Sequence, residues 1–201
     1  MSFASLYRGN NAGLVEIEKI NPDHRDQSLP SRLADALDEA ARHRHDHVSL
    51  SFAAFTVLAE LIDNIFQHSS TKLDGYAVLQ VYGRGVKVAV SDSGKGILET
   101  LRPSLPSKFP RLAKMTDIEI LIETFRTGLS RHGPERGCGL KRCAQEAIKY
   151  NATLDVRLPN FRVFLEPSAD GYTLSRSTWD PNVTLIWGSH ICFDFRLDKA
   201  A

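Results

Sequence analysis

Glu60 and Asn64, a carboxylate and a carboxamide one helical turn apart, and Asp92 with Gly94 and Gly96, an acid followed by two glycines, are the residues of this chain best suited to chemistry. The first pair lies in Ala59-Glu60-Leu61-Ile62-Asp63-Asn64-Ile65-Phe66-Gln67-His68 and the second group in Ser91-Asp92-Ser93-Gly94-Lys95-Gly96. Acids and amides on one face suit a hydrated divalent cation, which prefers oxygen ligands. A carboxylate at the point where a strand gives way to glycine is partly buried and needs a donor, and the exocyclic amine of adenine is one; the glycines let backbone come close to a ligand. Together the two segments suggest a nucleotide site.

The elements that must position these groups follow from periodicity. From Phe55 to His68 the pattern fits a helix with no internal Gly or Pro. At roughly 100° per residue, Thr56, Glu60, Asp63, Asn64, Gln67 and His68 form one stripe, and Phe55, Leu58, Leu61, Ile62, Ile65 and Phe66 cover the other side. A merely solvated polar face would give the same pattern, but this stripe lacks the Lys and Arg that usually fill one. Tyr76 to Tyr82 and Val86 to Ser91 read as a hairpin turning through Gly83-Arg84-Gly85. Val86, Val88 and Val90 alternate with Lys87, Ala89 and Ser91, so Asp92 continues the valine face. Taken alone, Asp-x-Gly-x-Gly is also an ordinary strand-to-turn sequence.

A third segment, Gly133-Pro134-Glu135-Arg136-Gly137-Cys138-Gly139-Leu140, leads into a helix expected over Leu140 to Tyr150. Glycines opening a helix free backbone N–H groups to face a phosphate, and the helix dipole favours the negative charge; a flexible loop would look similar. No Walker A order and no Gly-x-Gly-x-x-Gly after a strand occurs, which argues against P-loop and Rossmann architectures.

Around these segments, Pro30 to Ala40 and Thr116 to Arg126 read as further helices, the latter with Asp117 and Glu119 near its start. Strands are expected at Thr153 to Arg157, Phe161 to Glu166, Tyr172 to Arg176, Val183 to Trp187 and His190 to Leu197. The expected fold class is α/β (α+β): a two-layer sandwich of a mixed, mainly antiparallel sheet with helices on one face. A chain of 201 residues with 42% hydrophobic content builds one full core, and a formal net charge of +1 offers no global attraction to nucleic acid. No apolar stretch reads as a membrane span and no signal peptide opens the chain, so a cytoplasmic location is the default expectation. The three cysteines lack Cys-x-x-Cys spacing, which predicts reduced thiols. His43, His45 and His47 alternate in a charged stretch that reads as a solvated connection rather than a metal site.

The ordered set resembles the ATP-binding domain shared by DNA gyrase B, Hsp90, histidine kinases and MutL, the GHKL or Bergerat fold. Glu60-x-x-x-Asn64 looks like its N box, Asp92-x-Gly94-x-Gly96 like its first glycine box and Gly137-x-Gly139-Leu140 like its second. Phe125-Arg126-Thr127-Gly128 is similar to the Phe-x-x-Gly element of histidine-kinase-like lids, and Gly188 to Phe195 looks like the closing strand. The resemblance covers roughly residues 50 to 197. It implies ATP and Mg2+ as ligands, with Asn64 on the metal, Asp92 on the adenine amine, and Gly94 and Gly96 along the base. It also implies that Gly137, Gly139 and Leu140 close over the phosphates, with Ile97 and Gly128 contributing from a lid over 97–136, and that Glu60 is the catalytic base. A positioned general base typically contributes about 10² to 10⁴ in rate. Cys138 between the glycines and Lys141-Arg142 after Leu140 depart from the histidine-kinase pattern; the two cations either assist phosphate binding or begin a solvated helix.

These implications divide the chain into an arm and helix over 1–49, a possible dimer or partner contact, and an ATP-binding domain over 50–197. The expected function is a stand-alone ATP-binding switch that hydrolyses Mg-ATP slowly and engages a regulatory protein partner, with a homodimer possible. The alternatives are a protein serine/threonine kinase resembling the anti-sigma factors of the family, in which Glu60 would deprotonate a partner hydroxyl, and a non-catalytic nucleotide sensor.

Overall fold

The computed structural model describes residues 14–68, 71–129 and 138–197. One seven-stranded sheet runs in the order β1-β2-β3-β7-β4-β5-β6, with β1 Val15–Ile20, β2 Gly75–Tyr82, β3 Gly85–Ser91, β4 Thr153–Leu158, β5 Phe161–Ser168, β6 Gly171–Asp180 and β7 His190–Arg196. Every pairing is antiparallel. The helices are α1 Leu29–Ala40, α2 His47–His68, α3 Ile97–Leu101, α4 Leu105–Lys108, α5 Asp117–Thr127 and α6 Cys138–Ile148.

Strict alternation makes the sheet one-sided. Val86, Val88, Val90, Leu154, Val156, Val163, Leu165, Ile191, Phe193 and Phe195 are buried against the helical layer, while Lys87, Arg162, Phe164 and Arg196 are exposed. Phe193 is fully buried, meeting Phe125 of α5 edge-on at 6.1 Å between ring centroids and Tyr172 of β6 at 6.4 Å. The Tyr172 hydroxyl donates to the Ala152 carbonyl at 2.8 Å, so the one polar atom in this cluster is satisfied.

Helix α2 spans 22 residues with mean hydropathy 1.5, enough in length and composition to cross a membrane, contrary to the reading of the sequence. Its apolar character has another explanation, since Leu50, Ala53, Ala54, Val57, Leu58 and Leu61 are buried between α1, α6 and the sheet. His47, at its first turn, shares a 2.6 Å hydrogen bond with Asp38 of α1. Helix α5 opens on a capping box: Thr116 accepts from the Glu119 N–H, and the Glu119 carboxylate accepts from the Thr116 N–H at 2.8 Å.

Three elements differ from expectation. Val15–Ile20 forms an edge strand on β2, within the arm to which no strand was assigned. The stretch from Arg102 to Pro110 inside the lid, to which no helix was assigned, is largely short helical turns ending in α4. Val183 to Trp187 is not a strand; the chain must travel from β6 at the sheet edge past β5 and β4 to reach β7, so this segment has no strand to pair with. The glycine-rich run from Gly133 to Gly137 lies outside the described residues.

Replacing Phe193 by Ala removes the side chain that α5, β6 and β7 share. The expected loss of stability is about 3–5 kcal/mol, seen as a lower urea midpoint at an unchanged slope.

Candidate functional site

The polar stripe of α2 divides into inward and outward members. Asp63 faces outward, paired with Arg25 at 2.5 Å and bonded to the Gln67 amide. Thr56 is buried and donates to the Phe52 carbonyl at 3.0 Å, which satisfies it within the helix. His68 closes the last turn of the helix, and Glu60 and Asn64 are the members of the stripe that carry the candidate chemistry. Glu60 lies across the first turn of α6, where a Cβ added to Gly139 would stand 2.6 Å from its Oε2. Its Oε1 accepts from Arg142 Nη1 at 2.9 Å. Gly139 is therefore required by the Glu60 carboxylate that crosses it, and Arg142, one turn further along α6, is the partner of Glu60. The Asn64 Nδ2 is buried with no hydrogen-bond partner among the described residues. A buried amide without a partner is costly unless a ligand completes it.

The Asp92 cluster assembles from three chain segments. Asp92 follows β3; its Oδ1 accepts from the Gly94 N–H at 2.6 Å and its Oδ2 from the Ser189 N–H at 3.3 Å. The Asp92 N–H in turn donates to the Ser189 carbonyl at 3.1 Å. Burial pushes the Asp92 carboxyl above its ordinary range, and the two backbone bonds from Gly94 and Ser189 partly offset that. A carboxylate has about four acceptor sites, so two backbone donors leave room for a ligand N–H. Gly96 adopts φ +86°, and a Cβ there would come within 3.1 Å of Pro159. Ile97, the first residue of α3, donates its N–H to Ser189 Oγ at 3.1 Å.

The two groups lie at the same end of the sheet. A Cβ on Gly75 would touch both Ile65 Cδ1 at 2.9 Å and the Ser91 carbonyl at 2.8 Å, so the turn of α2 that carries Asn64 passes over the end of β3 that carries Asp92. The remaining sequence candidates have visible structural duties. Gly128 is the left-handed C-cap of α5 at φ +80°, its N–H donating to the Thr124 carbonyl at 3.0 Å. Leu140 sends its side chain into the core, leaving backbone at the start of α6. Gly137 lies outside the described residues.

Sequence reasoning missed the parts played by Gly188 and Ser189, which it placed only as the first residues of a closing strand. Gly188 sits at φ +105°, where an added Cβ would fall 1.8 Å from the Asp92 carbonyl oxygen. The signal was a glycine directly before a serine and a strand, which is too common to single out.

These residues fit a nucleotide: an acceptor with spare capacity at Asp92, an orphaned amide N–H donor at Asn64, and a carboxylate at the opening turn of a helix. Residues 49–180 match the family described as histidine kinase-, DNA gyrase B- and HSP90-like ATPase. A comparison with curated proteins finds no match.

Gly188→Ala combines a forbidden backbone region with a clash against Asp92, so a loss of roughly 1–3 kcal/mol or more is expected in urea unfolding. Gly171→Ala serves as the control, because φ there is +92° but the nearest atom to a new Cβ is Ile148 Cδ1 at 3.8 Å. The excess of the first penalty over the second measures the Gly188–Asp92 contact.

Proposed function

The chain belongs to the histidine kinase-, DNA gyrase B- and HSP90-like ATPase family, and from that premise we propose that it is a regulatory module that binds Mg-ATP and hydrolyses it slowly, switching a partner protein between two states. The observation that carries this reading is the position of Glu60, held across the opening turn of α6 by Gly139 and paired with Arg142. The N-terminus of an eleven-residue helix favours phosphate, so the carboxylate stands where an attacking water would need a base.

In this reading Asp92 accepts the adenine amine, oriented by the Gly94 and Ser189 N–H groups that already fix its two oxygens. Asn64 would hold the cation through Oδ1 and give its unpartnered Nδ2–H to a phosphate oxygen. Mg2+, when bound, would neutralise charge developing on the phosphates. Glu60 exchanges its bond with Arg142 for a water, and Arg142, more than half exposed, is free to turn toward phosphate. Because Glu60 is engaged by Arg142 before any nucleotide arrives, reaching the reactive arrangement requires breaking an ion pair, which supports slow turnover.

Two substitutions separate binding from chemistry. Asp92→Asn should weaken ATP binding by about 1–3 kcal/mol, the cost of losing a hydrogen bond to a charged group; unchanged affinity in calorimetry would remove the adenine assignment. Glu60→Ala should leave affinity nearly intact and reduce phosphate release by about 10² to 10⁴. Radioactive phosphate appearing on a serine or threonine of a second protein, with none released by the chain alone, would replace hydrolysis with protein phosphorylation and keep Glu60 as the base.

A further inference from the structure

The face of the sheet turned away from the helices carries an unusual row. Ser91 of β3 stands opposite His190 of β7, His190 opposite Arg157 of β4, and Arg157 opposite Arg162 of β5. Like charges directly opposite on neighbouring strands repel, so two adjacent arginines need separate compensation. Arg162 has it: its Nε donates to Asp155 Oδ1 at 2.8 Å, and a second bond joins Nη2 to Oδ2. Arg157 has none. Its guanidinium donates to the backbone carbonyls of Leu158, Phe161 and Thr184, and among the described residues no carboxylate pairs with it. With Asp155 cancelling Arg162, the row holds one uncompensated, half-buried positive charge.

That charge lines a pocket of about 570 Å³. Its floor is the outer sheet face and its roof is the connector from β6 to β7, which crosses here and is tied down by the Thr184–Arg157 bond. Polar groups are gathered at one side, with Ser91 and His190 beside Arg157 and joined by a hydrogen bond between Ser91 Oγ and His190 Nδ1. Ala89, Val183 and Ile186 supply apolar wall. A concave site with apolar lining and a few convergent polar groups is the usual form of a small-molecule site, and this volume is in the usual range. A planar guanidinium with unused N–H donors matches a planar carboxylate.

We propose that this outer-face pocket binds a small organic monocarboxylate, its carboxylate on Arg157 and its apolar body against Ala89, Val183 and Ile186. One unpaired cation balances a single negative charge, which favours a carboxylate over a phosphate dianion. The pocket lies on the opposite side of the sheet from Glu60, Asn64 and Asp92 and does not depend on the nucleotide reading.

The two tryptophans of the chain, Trp179 near the end of β6 and Trp187 within the connector that roofs the pocket, make intrinsic fluorescence a reporter on it. The full chain is titrated with cyclohexanecarboxylate, with the uncharged cyclohexylmethanol, and with inorganic phosphate at constant ionic strength. The expected result is a saturable response to the carboxylate with half-saturation at about 1 mM or below, and little response to the other two. Arg157→Gln should weaken the carboxylate response at least roughly tenfold. Ala89→Phe, which fills the pocket while leaving Arg157 and its carbonyl bonds in place, should abolish it. An equal response to the alcohol, a response to phosphate alone, no saturable response to the carboxylate, or a response that survives Ala89→Phe would each overturn the proposal. The wild-type comparison of carboxylate and alcohol decides the matter even if a variant fails to fold. No nucleotide enters the experiment, so its outcome is separate from that of the ATP measurements.

Discussion

Asp92 is held by backbone from almost a hundred residues further along the chain. Ser189 exchanges hydrogen bonds with it, donating to its carboxylate and accepting from its N–H, and Gly188 approaches so closely that no side chain fits between them. This contact exists only because β7 inserts between β3 and β4 and so delivers its leading residues to the end of β3. The register that pairs Ser91 with His190 then sets every later contact in the sheet centre, down to Gly85 opposite Arg196. Burial makes the carboxylate costly, and the two backbone donors are what the fold offers in return. A buried acid supported this way is rigid before any ligand arrives, which is the condition for selective recognition of a donor.

The α2–α6 contact obeys a related constraint. Two helices approach closely only where one offers a small residue, and Gly139 is that residue. What crosses it is a carboxylate rather than an apolar side chain, and the cost of placing an acid there is met by Arg142. The departure from the histidine-kinase pattern at Lys141-Arg142 thus has a physical reading at one of its two positions: Arg142 is the counter-charge of Glu60.

Local pattern was enough for the parts of this fold that are local. The 3.6-residue period from Phe55 to His68 lies within α2, and the alternating valines of β3 placed Asp92 on the buried face. Where the pattern misled, topology had overruled it. Val183-Thr184-Leu185-Ile186-Trp187 has high strand propensity, yet it is a connector because its neighbours in the sheet are already paired to one another. Val15–Ile20 went unrecognised because Glu16, Glu18 and Lys19 dilute its apolar residues, as suits an edge strand that must not recruit another chain. The candidate site was legible to the same degree. Glu60, Asn64 and Asp92 could be picked out by type and spacing, whereas the Arg142 and Ser189 partners lie 82 and 97 residues away from the groups they hold, beyond any periodicity.

The period of two along a strand also explains why this end of the sheet is chemically double-sided. Ser91 and Asp92 are consecutive, as are Ser189 and His190, so each pair sends one member to the helical face and the other to the outer face. On the helical side, Ser189 and Asp92 bond to each other; on the outer side, Ser91 and His190 do the same. The two clusters share the backbone of β3 and β7, and across it His190 and Asp92 act on each other through their charges. A shift of one strand against the other would break both at once, and a one-residue slip would exchange them, placing the carboxylate in the open and the histidine in the core. The hydrophobic alternation of Val86, Val88 and Val90 against Ile191, Phe193 and Phe195 forbids that slip. The core packing that makes the sheet one-sided is therefore also what assigns each polar group to its face.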